Sequence, residues 1–419
     1  MSSSLAALLG LILSIVLIIK KVSPVYSLML GALAGGLLGG SSLVGTVSDM
    51  FDGVKSITPA VLRILAAGVL SGALIKSGAA ASISRTIVTK LGRRQVYLSL
   101  ALSTMLLCGV GVFVDVAVIT VAPIALMLGS ELKLSRGKLL LAMIGGGKCG
   151  NIMSPNPNTI VAAENYDAPL SSVMAAGIVP AIIGLLITVY VIVPLFPSNS
   201  DVCSSKEDSG DDNASALPSF MASIAGPLVT ILILALRPVA GIVIDPLIAL
   251  PIGGIVTLLF TKSLKHSSES LSFGLEKMSS VAVLLIGTGT IAGVISASDM
   301  KDVVIGWLSS WNVGGVLMAP LSSILMSAAT ASTTAGATIA SASFADTILA
   351  TGLAGVWGAS LTNAGATVLD HLPHGSFFHA TGGSVQMPFK NRLRLIPFES
   401  LIGLILTVMT LLAAWVAAL

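Results

Sequence analysis

The residues of this chain best suited to holding or moving charge lie in stretches that interrupt long apolar runs. GGGKCGNIMSPNPNTIVAAENY, from Gly145 to Tyr166, carries Asn151, Ser154, Asn156, Asn158 and Thr159 around two prolines. GASLTNAGATVLDHLPHGSFFHATGGS, from Gly358 to Ser384, carries Ser360, Thr362, Asn363, Asp370, His371 and His374. The run SAATASTTAGATIASAS before it adds the hydroxyls of Ser332, Thr333 and Thr334, suited either to a polyol or simply to close helix packing. Asp115, in GVGVFVDVAVIT, is an isolated carboxylate. Short amides and hydroxyls of this kind bind carboxylates and polyols, and a carboxylate beside an imidazole passes protons.

Ionisable groups at membrane depth are costly and mark ion or substrate pathways. Asp115 is therefore a candidate for the coupling proton, for sodium, or for a helix cap. Asp370 and His374, four apart, would share a helix face, whereas the adjacent Asp370 and His371 would diverge. The alternative places HLPHGSFFH at a cytoplasmic mouth, with solvated histidines and Phe377 and Phe378 anchored at the interface. His371 and His374 have no further ligand set beside them, so no metal is expected, and no cofactor other than a coupling ion. Protons are the expected ion, with sodium as the alternative.

The elements that must position these residues are set by composition. The chain has 419 residues, 54% hydrophobic and 10% charged, with a mean hydropathy of +0.98. Globular averages run near 25% charged, so this is an integral membrane protein, all-α and polytopic, with the lipid bilayer as its surroundings. A net charge of +3 is too small and scattered for nucleic acid. Cys108, Cys149 and Cys203 form no CxxC pattern and read as free thiols. The first run, followed by Lys20 and Lys21, lacks a small-residue cleavage site and reads as a retained span.

Apolar runs of the length needed to cross about 30 Å of hydrocarbon lie near 5–19, 25–45, 57–76, 96–111, 114–129, 138–163 and 171–195. A second set lies near 220–236, 239–260, 279–297, 313–329, 331–350, 352–387 (interrupted) and 398–417. The stretch 96–129 reads either as two spans or as a re-entrant hairpin turning at GVGVFVD. The division is a first transmembrane repeat, 1–197, a polar acidic linker, 198–219, and a second repeat, 220–419. Gly68, Gly72 and Ser77 fall 221 positions before Gly289, Gly293 and Ser298. An odd number of spans per half inverts the second half, as in many carriers.

The basic residues agree with this topology. With the N-terminus outside, Lys20, Lys21, Arg85, Lys90, Arg93, Arg94, Lys133, Arg136, Lys138, Lys262, Lys265, Lys277, Lys390, Arg392 and Arg394 are cytoplasmic, as is the linker. DMFDGVK, ENYDAP and SDMKD are then outside, with Arg237 as an exception.

Broken backbone at membrane depth is tolerated only where protein or a water-filled cavity satisfies it. Pro155, Pro157 and the three glycines of Gly145–Gly147 are expected to end one half-helix and start another near Asn158. The new N-terminus offers free N–H groups to a carboxylate. The two broken segments are expected to meet near the bilayer midplane around a small anion. No Walker-type GxxxxGK[ST], GxSxG or HExxH is present, which disfavours ATP drive and intramembrane catalysis. Two unlike breaks in one chain also fit a ring-built channel poorly.

The strings GNIMSPNPNTIVAAEN, ATASTTAGATIASASFA and SLTNAGATVLDHLPHGSFFHATGGS resemble the gluconate permease (GntP) family of the ion-transporter superfamily, and the resemblance runs along essentially the whole chain. Better-known gluconate carriers have a His-x-x-x-Pro-Pro-x-Pro-Gly-Pro pattern at the first break and Ser-His-Val-Asn-Asp-Ser-Gly at the second. Here the prolines, Ser360, Asn363 and Gly365 carry over. The resemblance implies a proton-coupled importer of gluconate or a related small hydroxy- or sugar-acid in a bacterial inner membrane. It further implies a homodimer with an elevator-like movement. A sodium-coupled carrier of another organic acid or an amino acid is the alternative.

Overall fold

Long apolar runs without water to hydrogen-bond their backbone must close their bonds internally, and in this chain they do so as helices. The computed structural model describes residues 3–92, 95–197, 203, 217–299, 315–373 and 375–417. The described elements of the first half are α1 (Ser3–Ile19), α2 (Pro24–Leu38), α3 (Leu43–Lys76), α4 (Ala79–Leu91), α5 (Val96–Gly109), α6 (Val114–Leu132), α7 (Arg136–Asn151), α8 (Pro157–Asn165) and α9 (Leu170–Leu195). Those of the second half are α10 (Phe220–Ala240), α11 (Pro246–Phe260), α12 (Ser267–Ser296), α13 (Gly315–Thr330), α14 (Thr333–Ala350), α15 (Gly355–Ala366), α16 (Ser376–Ser384), α17 (Phe389–Leu393) and α18 (Ile396–Ala417).

The centre is an antiparallel pair of long helices, α3 and α12. Small residues let their backbones touch. A Cβ on Gly68 would lie 2.8 Å from the Gly274 carbonyl oxygen, and one on Gly72 would lie 2.1 Å from that of Ser270. At the other end, a Cβ on Gly289 would lie 3.0 Å from the Gly53 oxygen and one on Gly293 2.0 Å from that of Asp49. No side chain fits there. Gly72→Val and Gly293→Val are each expected to destabilise by about 1–3 kcal/mol, read as a lowered melting temperature in detergent. Gly383→Ala is the control, because nothing lies within 4 Å of the position; equal losses at all three would refute this packing.

α3 corrects the expected spans. The turn after α2 falls at residues 39–42, so 25–45 is too long, and DMFDGVK is not a loop but part of a 34-residue helix. Its charges stay out of the apolar face, with Asp52 and Lys55 paired at 2.6 Å on the exposed side. Gly145, Gly146 and Gly147, expected to turn the backbone, lie inside α7. They serve close packing instead: a Cβ on Gly146 would sit 1.9 Å from the Ala101 oxygen of α5.

α5 and α6 form a hairpin, as do α13 and α14. At 14 and 16 residues, α5 and α13 are about 21 and 24 Å long, short of a 30 Å hydrocarbon core. The two broken segments are α7–α8, interrupted at 152–156, and α15–α16, interrupted at 367–375. Element bounds recur with a nearly constant offset. Moved 221 positions, α2 would cover 245–259, α3 would cover 264–297 and α8 would cover 378–386, against Pro246–Phe260, Ser267–Ser296 and Ser376–Ser384.

Most of 198–219 lies outside the described residues, but Cys203 is buried, and its N–H donates to the Leu134 carbonyl at 3.1 Å. All three cysteines are buried, and none forms a disulfide among the described residues.

Candidate functional site

Both hairpin tips and both breaks face one cavity of about 810 Å³. Four helices begin on its wall: α6 through Val114 and Asp115, α8 through Asn158, α14 through Thr333 to Ala335, and α16 through Phe377. Each start has a local cause. Pro157 occupies the first turn of α8, where its missing N–H costs nothing. The Ser332 hydroxyl caps α14 by accepting the Ala335 N–H at 3.3 Å. Converging N-termini present unsatisfied N–H groups and positive dipole ends, which favour an anion. Exposed Glu276, Ser279 and Ser280 of α12 form the rim, with Ser23 and Lys277 nearby. That is the side the basic residues assign to the cytoplasm.

Of the residues singled out in the sequence, Asp115, Asn151, Asn158, Ser332, Thr333, Thr334 and Asp370 line this cavity. The other described ones stand behind it. Asn158 Nδ2 donates to Asn363 Oδ1 at 2.6 Å, and Asn363 Nδ2 donates to Thr159 Oγ1 at 3.0 Å, so the two halves of the chain meet through an amide pair. Asn156 Nδ2 donates to Asn151 Oδ1 at 2.8 Å, and Ser154 Oγ donates to the Asn151 carbonyl at 2.8 Å. These two shape the first break without reaching its open face. Thr362 shares a 2.8 Å hydrogen bond with the Tyr166 hydroxyl. Ser360 donates to the Val356 carbonyl one turn back at 2.7 Å. Asp115 Oδ1 accepts the Val116 N–H at 2.9 Å.

The charged centre differs from the expected Asp370 and His374 pair. His374 lies outside the described residues. Asp370 instead meets Lys148, whose Nζ donates to Oδ1 at 2.6 Å, while Thr333 Oγ1 donates to Oδ2 at 2.5 Å. His371 does not diverge from Asp370, because 367–373 is not helical; its Nδ1 lies 3.0 Å from both Asp370 Oδ1 and Lys148 Nζ. Lys148 also donates to the Thr367 carbonyl at the C-terminus of α15, the dipole end that favours a cation. His371 Nε2 lies 3.0 Å from the Ile396 carbonyl. That carbonyl and the Asp370 carboxylate only accept and the ammonium only donates, so Nδ1 stands between a donor and an acceptor.

A second buried pair continues the chain of charges. Arg392, 1% exposed, forks onto Glu399, 0% exposed, through both of its terminal nitrogens, and donates to the Phe378 carbonyl at 3.2 Å. Glu399 Oε2 lies 4.0 Å from His371 Nδ1. Arg392 is therefore a buried, paired charge. Sequence reading missed Lys148 and Glu399 as well, although each is an ionisable residue inside an apolar run, the signal that singled out Asp115.

Helices broken around an interior, charge-lined cavity within a multi-span all-helical bundle define a membrane transporter. The chain belongs to the GntP family of permeases, which it matches over residues 3–419. It is 53% identical over 410 residues to a transporter of Haemophilus influenzae, covering 98% of this chain and 97% of that one. It is 27% identical over 438 residues to a high-affinity gluconate transporter of Escherichia coli, covering 97% and 98% of the two chains. The fold resembles the crystal structure of the Alcanivorax borkumensis YdaH transporter, with a TM-score of 0.61 at 15% identity over 90% of this chain and 88% of that one.

Proposed function

We propose that this permease is a proton-coupled symporter that takes up gluconate or a related small hydroxy- or sugar-acid across a bacterial inner membrane. The observation that carries this reading is the meeting of four helix N-termini on one cavity that also holds Asn151, Asn158 and the Ser332 to Thr334 hydroxyls. N–H groups receive the carboxylate, and amides and hydroxyls receive the polyol. Gluconate transporters among the relatives support the substrate class. A 30% identical stretch of 175 residues in the Escherichia coli inner membrane permease YgbN supports the location. A homodimer with an elevator-like movement rests on the family resemblance alone.

Two inverted repeats, 1–197 and 220–419 joined by the linker 198–219, are part of this reading. The supporting fact is that contacts exchange under the 221-residue offset: Gly68 against Gly274 becomes Gly289 against Gly53, and Gly72 against Ser270 becomes Gly293 against Asp49. An antiparallel pair with that property has a two-fold axis across it.

Asp370 carries the coupling proton in this scheme, because it alone among the cavity carboxylates touches both a broken segment and a hairpin tip. The test is uptake by purified protein in liposomes under an imposed pH or sodium gradient, competed by a panel of hydroxy-acids and amino acids. Wild type is expected to accumulate a sugar acid under the inward proton gradient. Asp370→Asn is expected to retain exchange and lose accumulation, whereas Asp115→Asn retains both. The opposite pattern moves coupling to Asp115, and accumulation driven only by sodium refutes the proton.

A further inference from the structure

The buried ion pairs at the site are matched before any substrate arrives. Lys148 is paired with Asp370 and Arg392 with Glu399, and His371 Nδ1 lies 3.0 Å from both members of the first pair. The Lys148 ammonium donates to the Thr367 carbonyl and to Asp370 and lies 3.0 Å from His371 Nδ1. Lys148 itself is 1% exposed, and the carboxylate it touches, Asp370, lines the cavity wall. A carboxylate substrate entering this arrangement would bring an unbalanced negative charge into a buried site, at heavy cost.

We propose that Lys148 is the substrate's counter-ion, and that Asp370 occupies that place when the carrier is empty. The proton that enters with the substrate adds to the Asp370 carboxylate. The neutral carboxyl then gives up its claim on the ammonium, and the substrate carboxylate takes the freed N–H of Lys148, beside the Thr333 hydroxyl and the N-terminus of α14. No bond other than O–H is made. One proton and one carboxylate leave the net charge of the site as it was, and on release the proton leaves Asp370, which returns to Lys148. This deepens the proposed uptake function by naming the group that recognises the carboxylate and by setting one proton per substrate carboxyl at this pair.

The groups facing Lys148 and Asp370 are accounted for. From the second break they are His371 and the Thr367 carbonyl, and from the hairpin α13–α14 the Thr333 hydroxyl. From α18 it is Glu399, turned toward His371 but held by Arg392 of α17, and from α6 it is Asp115 across the cavity. Glu399 is engaged on both oxygens and does not line the cavity. Asp370 is the carboxylate placed to trade Lys148 for a ligand.

The pair can be tested without knowing the natural substrate. Asp370→Asn keeps the shape of the protonated carboxyl and leaves the ammonium without a charged partner. Purified Asp370→Asn protein in detergent is expected to be stabilised by monocarboxylates from acetate to gluconate in a thermal shift assay. Its half-maximal concentration for gluconate should be at or below that of wild type and flat between pH 5.5 and 8, a range taken to bracket roughly the ordinary histidine value. Lys148→Gln alone strands a buried carboxylate and is open to misfolding, so the informative variant is Lys148→Gln/Asp370→Asn, which is neutral at both positions. It is expected to fold and to bind carboxylates about 100-fold or more weakly than Asp370→Asn, a loss of the size of a broken buried pair. Equal stabilisation of the single and double variants, or none in Asp370→Asn, overturns the proposal. Failure of wild-type liposomes to accumulate any acid while the single and double variants differ as stated would refute the uptake reading and leave the Lys148 assignment standing.

Discussion

Arg392→Leu is expected to destabilise the folded protein by about 3–5 kcal/mol, the cost of leaving the partner of a buried ion pair without its counter-charge. The alternative values are far apart, which makes the measurement decisive. A solvated arginine in a loop would change stability by no more than about 0.5 kcal/mol when replaced. In the structure both partners are fully enclosed, and the guanidinium also lies 4.7 Å from the Phe378 ring centre. Denaturation of the detergent-solubilised variant reads the difference. Arg392→Leu/Glu399→Leu should recover most of the loss, because an apolar pair of suitable volume replaces a buried salt bridge at little cost. A small effect of Arg392→Leu alone, or no recovery in the double variant, would show that the pair is not buried as described.

Asn158→Ala is expected to weaken substrate binding by about 10- to 100-fold, the range of a lost hydrogen bond to a charged group. Asn158 stands at the first turn of α8, faces the cavity, and is oriented from behind by Asn363. Ser360→Ala is the matched control: its hydroxyl serves the Val356 carbonyl of its own helix, and its loss should leave affinity near wild type. The measurement is competition by gluconate and the other acids in exchange assays, with protein amount and melting temperature recorded for each variant. Wild-type affinity in Asn158→Ala would remove α8 from the binding site. Asn363→Ala should also lose binding, through disorientation of Asn158, and should lower stability as well because the Asn158 amide is left unpartnered.

What sequence reading could reach follows from how local each feature is. The two breaks were legible because proline and glycine act on their own backbone, and α8 begins at Pro157, one residue from where the pattern put it. Charges in contact across the fold were not legible. Lys148 and Asp370 are 222 positions apart and meet because the second break is non-helical and turns two neighbouring side chains to one point. The expectation that Asp370 would pair along a helix with His374 assumed regular backbone at the place where the chain abandons it. The glycines of GGGKCG show the same limit, since a glycine that turns a chain and one that admits a neighbouring helix look alike in sequence. Helix ends were misplaced where polar residues lie on one side of a long helix, as DMFDGVK does in α3.

The glycine contact between α3 and α12 maps onto itself when the two helices are exchanged. A surface whose contacts map onto themselves when the partners are exchanged is isologous, the kind that two identical chains form about a two-fold axis. Here both partners belong to one polypeptide, so Lys148 and Asp370 form a single pair, where a symmetric dimer of identical chains would place any such pair twice.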